Sequence, residues 1–405
     1  MNVRALTGFI DPGWPIDPRC IATLAETLHA ARKVLQDSGY VVQSLRVATP
    51  PPSQMERPVT PADRPELARQ MEAQCFVHGL DYAALGPALP DELPGYTIIP
   101  DILAATENVF TSAVIASPEG GLSLSAAHAA ADVIQRSSSI TPDGFANLRF
   151  AALACVLPGS PFFPAAYADR GAPAVAVATE AAELAVDALR EVTSPAKARR
   201  RLISMIEAHG AAFERLLLPT LTQADTVFLG IDFSLAPYPE PTRSLGAAIE
   251  AFGPAAVGAF GSAAACAFLA GCLDQAAFRR TGFCGLFMPV LEDSILAARA
   301  ANGQLTLTDL LLYSTLCGTG LDTVPLPGDA STDALAAVLI DVGAVSLRHA
   351  KQLTARLMPL PGKAAGDEVH FDFSYFADSH VLALPSNPLG GLLAGAGTLE
   401  IGPRA

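Results

Sequence analysis

VRALTGFI (Val3–Ile10), VVQSLRVATP (Val41–Pro50) and YAAL (Tyr82–Leu85) together decide the class of fold. Each is a short apolar run of strand length, and helix-like sequence separates them. Between the first two, Asp17-Pro18 supplies a cap and a first-turn proline for a helix that ends near Gly39. Between the second and third lies a proline-rich loop, ATPPPSQMERPVTPADRP, which must be irregular because proline donates to no ladder. A helix over 66–79 then completes a β-α-β-α-β start.

The alternation continues outward. Helix-like Ile102–Phe110 precedes strand-like SAVIAS, and helix Ser125–Ser137 precedes a strand at Arg149–Val156. Strand Ala174–Ala178, helix Ala181–Glu191, a charged helix Pro195–Leu217 and the strand Thr226–Ile231 follow. Beyond them come a small-residue helix, strand GLFMPV, two more helices, strand LDTVPL, helix Thr332–His349 and strands Leu353–Met358 and Val369–Phe373. About ten strand candidates alternating with helices predict a predominantly parallel α/β sheet. No repeat or low-complexity linker cuts the chain. A single domain over residues 1–405 is therefore expected, with a glycine-rich C-terminal wrap from about 386.

Composition narrows the function classes. A net charge of −14, with only 26 Lys plus Arg, argues against nucleic acid and anionic membrane surfaces. The run AAVGAFGSAAACAFLAGCL (Ala255–Leu273) is long enough on paper to span a bilayer. Its Ala and Gly gain little from lipid, so a buried helix is expected instead. The seven cysteines form no CxxC pair, and MNVRALTGFID has no apolar signal core; a cytoplasmic protein with free thiols is expected.

In a chain with only 16% charged residues, charge clusters at glycine and proline turns point to a site. LGIDFSLAP delivers Asp232 and Ser234 at a strand end. MPVLEDS places Glu292 and Asp293 after a strand, as first-turn helix acids, as oxygen ligands for Mg²⁺ or Ca²⁺, or as an acid/base pair. CGTGLDT offers Gly318 and Gly320, whose amides could form an anion nest, followed by Asp322 and Thr323. In LTARLMPLPGKAAGDE, Arg356 lies within an apolar strand and Lys363 in a glycine-flanked loop; a cation there calls for an anion, internal or bound. Arg149 in ANLRFA is a further candidate. Neither a dinucleotide fingerprint nor a P-loop is present, and the seven histidines show no zinc spacing.

NLRFAAL with SPFFPAAY, GIDFSLAP, GLFMPVLED, YSTLCGTGLDTVPLPGD, and LTARLMPLPGKAAGD followed by FDF together resemble one family. It is the domain-of-unknown-function family numbered 711, also known as uncharacterised protein family 0210. The resemblance implies a ten-stranded α/β barrel like that of pyruvate formate-lyase, and a homodimer. It departs at Ala168, where the family pattern carries histidine, and in SYFADSHVLALPS after FDF. The glycyl-radical chemistry of that fold is not expected, because no cysteine or radical-type glycine motif follows Phe373.

The resulting expectation is an enzyme with its pocket at the carboxyl ends of the strands. Asp232, Glu292 and Asp322 would hold Mg²⁺ or Ca²⁺. Asp293, Arg356 and Lys363 would be catalytic, and Ser234, Gly318, Gly320, Thr323 and Arg149 would bind substrate. The reaction would be metal-assisted lyase, isomerase or hydrolase chemistry on a small carboxylate or amino-acid-like metabolite. No NAD, haem or glycyl radical is expected. The alternative is a metabolite-binding regulatory protein without turnover.

Overall fold

A computed structural model describes residues 1–385 and 389–403. The expected β-α-β-α-β start is present. β1 (Asn2–Phe9) leads into a helix at Pro18–Asp37, whose N-cap Asp17 accepts from the Arg19 amide. β2 (Leu45–Ala48), a helix at Arg64–His78 and β3 (Tyr82–Ala84) follow. β4 is Val109–Ser117, β5 the short Gly121–Ser123, β6 Phe150–Ala154, β7 Ala174–Glu180, β8 Val227–Asp232, β9 Gly320–Pro327 and β10 Leu353–Leu360.

One large, mostly parallel sheet runs in the order β8-β7-β1-β2-β3-β4-β6-β10-β9. β1, β2, β3, β4 and β6 are mutually parallel. β7 pairs with β8, and β9 with β10, also in parallel. These two pairs join the five-strand group through antiparallel neighbours, β1 with β7 and β6 with β10. The sheet therefore contains two parallel groups running in opposite senses.

GLFMPV does not form the regular strand that its apolar run suggests. Residues 280–289 make only isolated parallel bridges, Ile231 with Arg280, Leu235 with Leu286 and Pro289 with Asp322. Pro289 has no N–H to donate, which limits pairing on that side. These bridges nevertheless lie against β8 and β9, the two ends of the strand order. Similarly, the stretch expected as strand Val369–Phe373 pairs only over Glu368–Val369, antiparallel to Ser379–His380.

Strand alternation divides the interior into two apolar layers. Leu45, Val47, Ala83, Val175 and Val177 pack with the surrounding helices. On the opposite face, Phe9, Ala48, Ala84, Ala174 and Ala176 pack with Phe163, Ala166 and Ala168 of the SPFFPAAYA segment. Alanine on this face leaves room for that segment to lie across the strands. Thr7 Oγ1 donates to Pro161 O at 3.4 Å and the Ala168 amide to Thr49 O at 3.0 Å, which ties the segment down.

The small-residue run becomes a helix at Ser262–Gln275 whose Cys266, Leu269, Cys272 and Leu273 are buried. Among the described residues no helix is long and apolar enough to cross a membrane. Residues 386–388, where the glycine-rich wrap was expected to begin, lie outside the described residues. Further on, Thr398–Leu399 pair with Leu122–Ser123 in β5.

Candidate functional site

A cavity of about 250 Å³ opens beside the SPFFPAAYA segment. It lies at the carboxyl ends of β7 and β8 but at the amino ends of β1, β2, β3 and β4, where Arg4, Arg46, Tyr82 and Phe110 contribute. The expectation of a site built from carboxyl ends alone is therefore corrected. The antiparallel junctions bring opposite strand ends to one rim.

Two bulges aim the charged side chains. Between β1 and β7, Val3 faces Thr179 while Ala5 faces Ala178, so Arg4 is an extra residue. Between β9 and β10, Leu321 faces Ala355 while Val324 faces Leu357; Asp322 and Thr323 thus oppose the single Arg356. Such insertions bend a strand and re-aim side chains. Here they turn Arg4, Asp322 and Arg356 towards the same space. Thr323 absorbs the distortion with φ of 40° and is fully buried, and its Oγ1 has no partner among the described residues.

A chain of ion pairs follows. Arg356 Nε donates to Asp322 Oδ1 at 2.5 Å, and its Nη2 to Glu292 Oε1 at 2.9 Å. The other Glu292 oxygen accepts from Arg4 at 2.5 Å, and Arg4 also donates to Glu180 at 3.0 Å. Glu180 accepts further from Gln43 at 2.7 Å and from Arg243. Burial works against the Arg356 charge, yet Asp322 and Glu292 outweigh it and hold its pKa above the ordinary value. Burial pushes the Asp322 carboxyl up, opposed by Arg356 and reinforced by Glu292. Three carboxylates thus balance three guanidiniums.

Arg46 is the exception. Its Nε donates to Ser44 Oγ at 2.9 Å, and its guanidinium lies 5.0 Å from the Phe163 ring centre and 5.7 Å from that of Tyr82. Among the described residues no carboxylate pairs with it, and neither terminal nitrogen donates a hydrogen bond. Burial, then the nearby Arg4 charge, lower its pKa to about 10. A half-buried cation without a paired counter-ion favours an anion beside it.

The other expected residues fall in distinct places. Asp232 borders the cavity, but its carboxylate accepts from Ser234 Oγ at 2.5 Å and from the amides of Phe283 and Cys284 at 3.0 and 2.9 Å. Ser234 Oγ in turn accepts from the Gly285 amide at 3.1 Å. Asp232 therefore latches residues 282–285 against β8. Burial raises its pKa, opposed by those hydrogen bonds.

Asp293 is fully buried and does not line the cavity. It caps the helix Ser294–Ala301 through the amides of Ile295 and Leu296, and accepts from Ser244 Oγ at 2.5 Å and the Gly246 amide at 3.1 Å. Arg149 borders the cavity, yet it donates to the carbonyls of Leu103, Thr106 and Val109, closing the end of the helix Ile99–Ala105. Lys363 is exposed and donates to Glu368 O at 2.7 Å. Gly318 and Gly320 serve close backbone approach: a Cβ would lie 2.7 Å from Leu286 O at the first and 2.1 Å from Thr354 O at the second. Asp232, Glu292 and Asp322 all border the cavity. Even so, among the described residues no three His, Cys, Asp or Glu side chains are grouped so as to hold a metal ion. Glu292 and Asp322 turn to Arg356 instead.

Sequence reading missed Arg4, Arg46, Glu180 and the aromatic cover. Phe373 and Tyr375, from the loop between Val369 and Ser379, line the cavity, and the Arg4 guanidinium lies 4.6 Å from the Tyr375 ring centre. The available signal was arginine inside the first two apolar strands, the same signal that singled out Arg356.

A family model described as "Uncharacterised ACR (DUF711)" matches residues 2–375. The chain belongs to this family. Relatives named "UPF0210 protein" include one from Pyrobaculum islandicum, 30% identical, with 91% of this chain and 87% of the relative covered. Another, from Syntrophobacter fumaroxidans, is 28% identical over 86% of this chain and 80% of its own length. The match covers both bulges, the ion-pair chain and the aromatic cover. The family names assign no activity to them.

Proposed function

We propose that the cavity binds a small metabolite through its carboxylate, with Arg46 as the counter-ion, and that the protein is an enzyme acting on that metabolite. The observation that carries this reading is the guanidinium of Arg46. It is half-buried, faces the cavity, and donates from neither terminal nitrogen to a partner among the described residues, while every other guanidinium of the site is paired or spent on carbonyls. Arginine presents a planar fork that matches a carboxylate bidentately.

Lyase, isomerase or hydrolase chemistry is the reaction class. Asp322 is the candidate acid–base group, since it borders the cavity and burial raises its pKa. Arg356 would hold its orientation. A regulatory protein would use the same pocket with no turnover. A metal-assisted variant would place Mg²⁺ or Ca²⁺ on Asp232, Glu292 and Asp322.

Residues 280–289 would act as a tenth strand, closing the sheet into the expected barrel; their bridges to β8 and β9 support this. Slow exchange of the 280–289 amides would agree with closure, and exchange at loop rates would oppose it.

Calorimetric titration of the full chain with acetate tests the binding reading, with phosphate, MgCl₂ and CaCl₂ as comparisons. Saturable acetate binding without added metal is expected. Stoichiometric metal binding that must precede acetate, and that is lost in Asp322→Asn, would replace it with the metal-assisted reading.

A further inference from the structure

Resting on the carboxylate reading, a second property of the cavity narrows the ligand. The charges behind Arg46 are already neutralised by one another. Asp322, Arg356, Glu292 and Arg4 form a sequence of pairs that continues to Glu180 and Arg243, Asp232 is held by two amides and a hydroxyl, and Arg149 is held by carbonyls. Asp81, paired with Arg32, and the exposed Glu107 also line the cavity, and Arg46 is its one guanidinium with neither a carboxylate nor a carbonyl partner among the described residues. A second carboxylate or a phosphate would meet no further unpaired guanidinium there.

Six phenylalanines make up much of the remaining wall. Phe110 and Phe163 meet edge-to-face at 5.4 Å between ring centres, and Phe162 and Phe287 at 4.9 Å. Phe145 and Phe373 meet at 5.2 Å on the side of the cover. All six line the same cavity. Rings fixed against one another present edges and faces that a flat apolar group can meet in the same geometry. A cavity of about 250 Å³ suits a small metabolite, being a little below the range of about 300–1,000 Å³ common for pockets of drug-sized ligands.

We infer that the ligand is an aromatic monocarboxylate, its carboxylate on Arg46 and its ring among Phe110, Phe162, Phe163 and Phe287. The ring end and the acid end are recognised by different residues, so each can be removed separately.

The experiment is calorimetric titration of the full chain with phenylacetate, acetate, malonate and phenylacetamide. Phenylacetate is expected to bind at least tenfold more tightly than acetate, with malonate no tighter than acetate and phenylacetamide at least tenfold weaker than phenylacetate. Phe287→Leu is expected to weaken phenylacetate several-fold and leave acetate unchanged. Equal affinity for acetate and phenylacetate would overturn the aromatic assignment while leaving the carboxylate reading in place. Malonate binding more tightly than phenylacetate would overturn the single-charge assignment. If neither acetate nor phenylacetate binds, the carboxylate reading itself falls.

Discussion

Glu292→Gln is the perturbation that most sharply tests the ion-pair chain. Glu292 is 7% exposed and bridges two guanidiniums, Arg356 at 2.9 Å and Arg4 at 2.5 Å. Glutamine keeps the shape but offers one oxygen where glutamate offers two, and its amide N–H₂ must face one of the two arginines. Arg4, Arg46, Arg243 and Arg356 would then share two carboxylates, Glu180 and Asp322. Removing one partner of a buried pair costs about 3–5 kcal/mol. With an unfolding entropy of about 2.1 cal/mol/K per residue over 405 residues, the expected fall in Tm is roughly 4–6 °C. Differential scanning calorimetry reads this directly. Adding Arg4→Met should restore part of the loss, because it removes the cation left unpaired. A Glu292→Gln protein that melts within about 1 °C of wild type would refute the chain as a structural element.

Asp232 gives a pH prediction. Burial raises its folded pKa above the ordinary 3.8. Its protonated form is thus favoured by folding, and the stability this group contributes is present below the unfolded pKa and lost as pH rises through the folded one. The Tm gap between wild type and Asp232→Asn should therefore be more favourable to wild type at about pH 4, near the unfolded value, than at about pH 8; a gap that grows with pH would contradict the assignment. Gly282 has φ of 66°, and a Cβ there would lie 2.3 Å from Asp232 Oδ2. Gly282→Ala should cost about 1–3 kcal/mol in chemical denaturation, and an unchanged midpoint would show that Asp232 does not latch this turn.

The elements were legible where local rules act alone. The helix Pro18–Asp37 with its Asp17 cap and the helix Thr332–His349 follow from caps and periodicity. Arg356 was picked out because a cation inside an apolar strand needs an anion, and the structure places Asp322, singled out for following a glycine turn, 2.5 Å from it. Asp293 was expected as a first-turn helix acid, an oxygen ligand or half of an acid/base pair; it stands one residue earlier, as the N-cap of the helix Ser294–Ala301, and also accepts from Ser244 and Gly246. The rest depends on contacts distant in sequence. Glu180 reaches Arg4 across 176 positions and Glu292 reaches Arg4 across 288. Which arginine lacks a counter-ion cannot be read before such pairings are known. The bulges at Arg4 and Asp322 likewise arise from the register of neighbouring strands, which the run of apolar residues does not encode. GLFMPV looked like an ordinary strand because apolarity does not reveal that a proline will face its neighbour.

Arg46→Met is the most direct test of a ligand carboxylate on Arg46. Methionine keeps the apolar stem and removes a half-buried charge that no carboxylate pairs with among the described residues, so the ligand-free variant should melt at or above the wild-type temperature while acetate binding disappears. A variant that melts several degrees lower, or that still binds acetate with wild-type affinity, would mean that Arg46 serves the fold rather than a ligand.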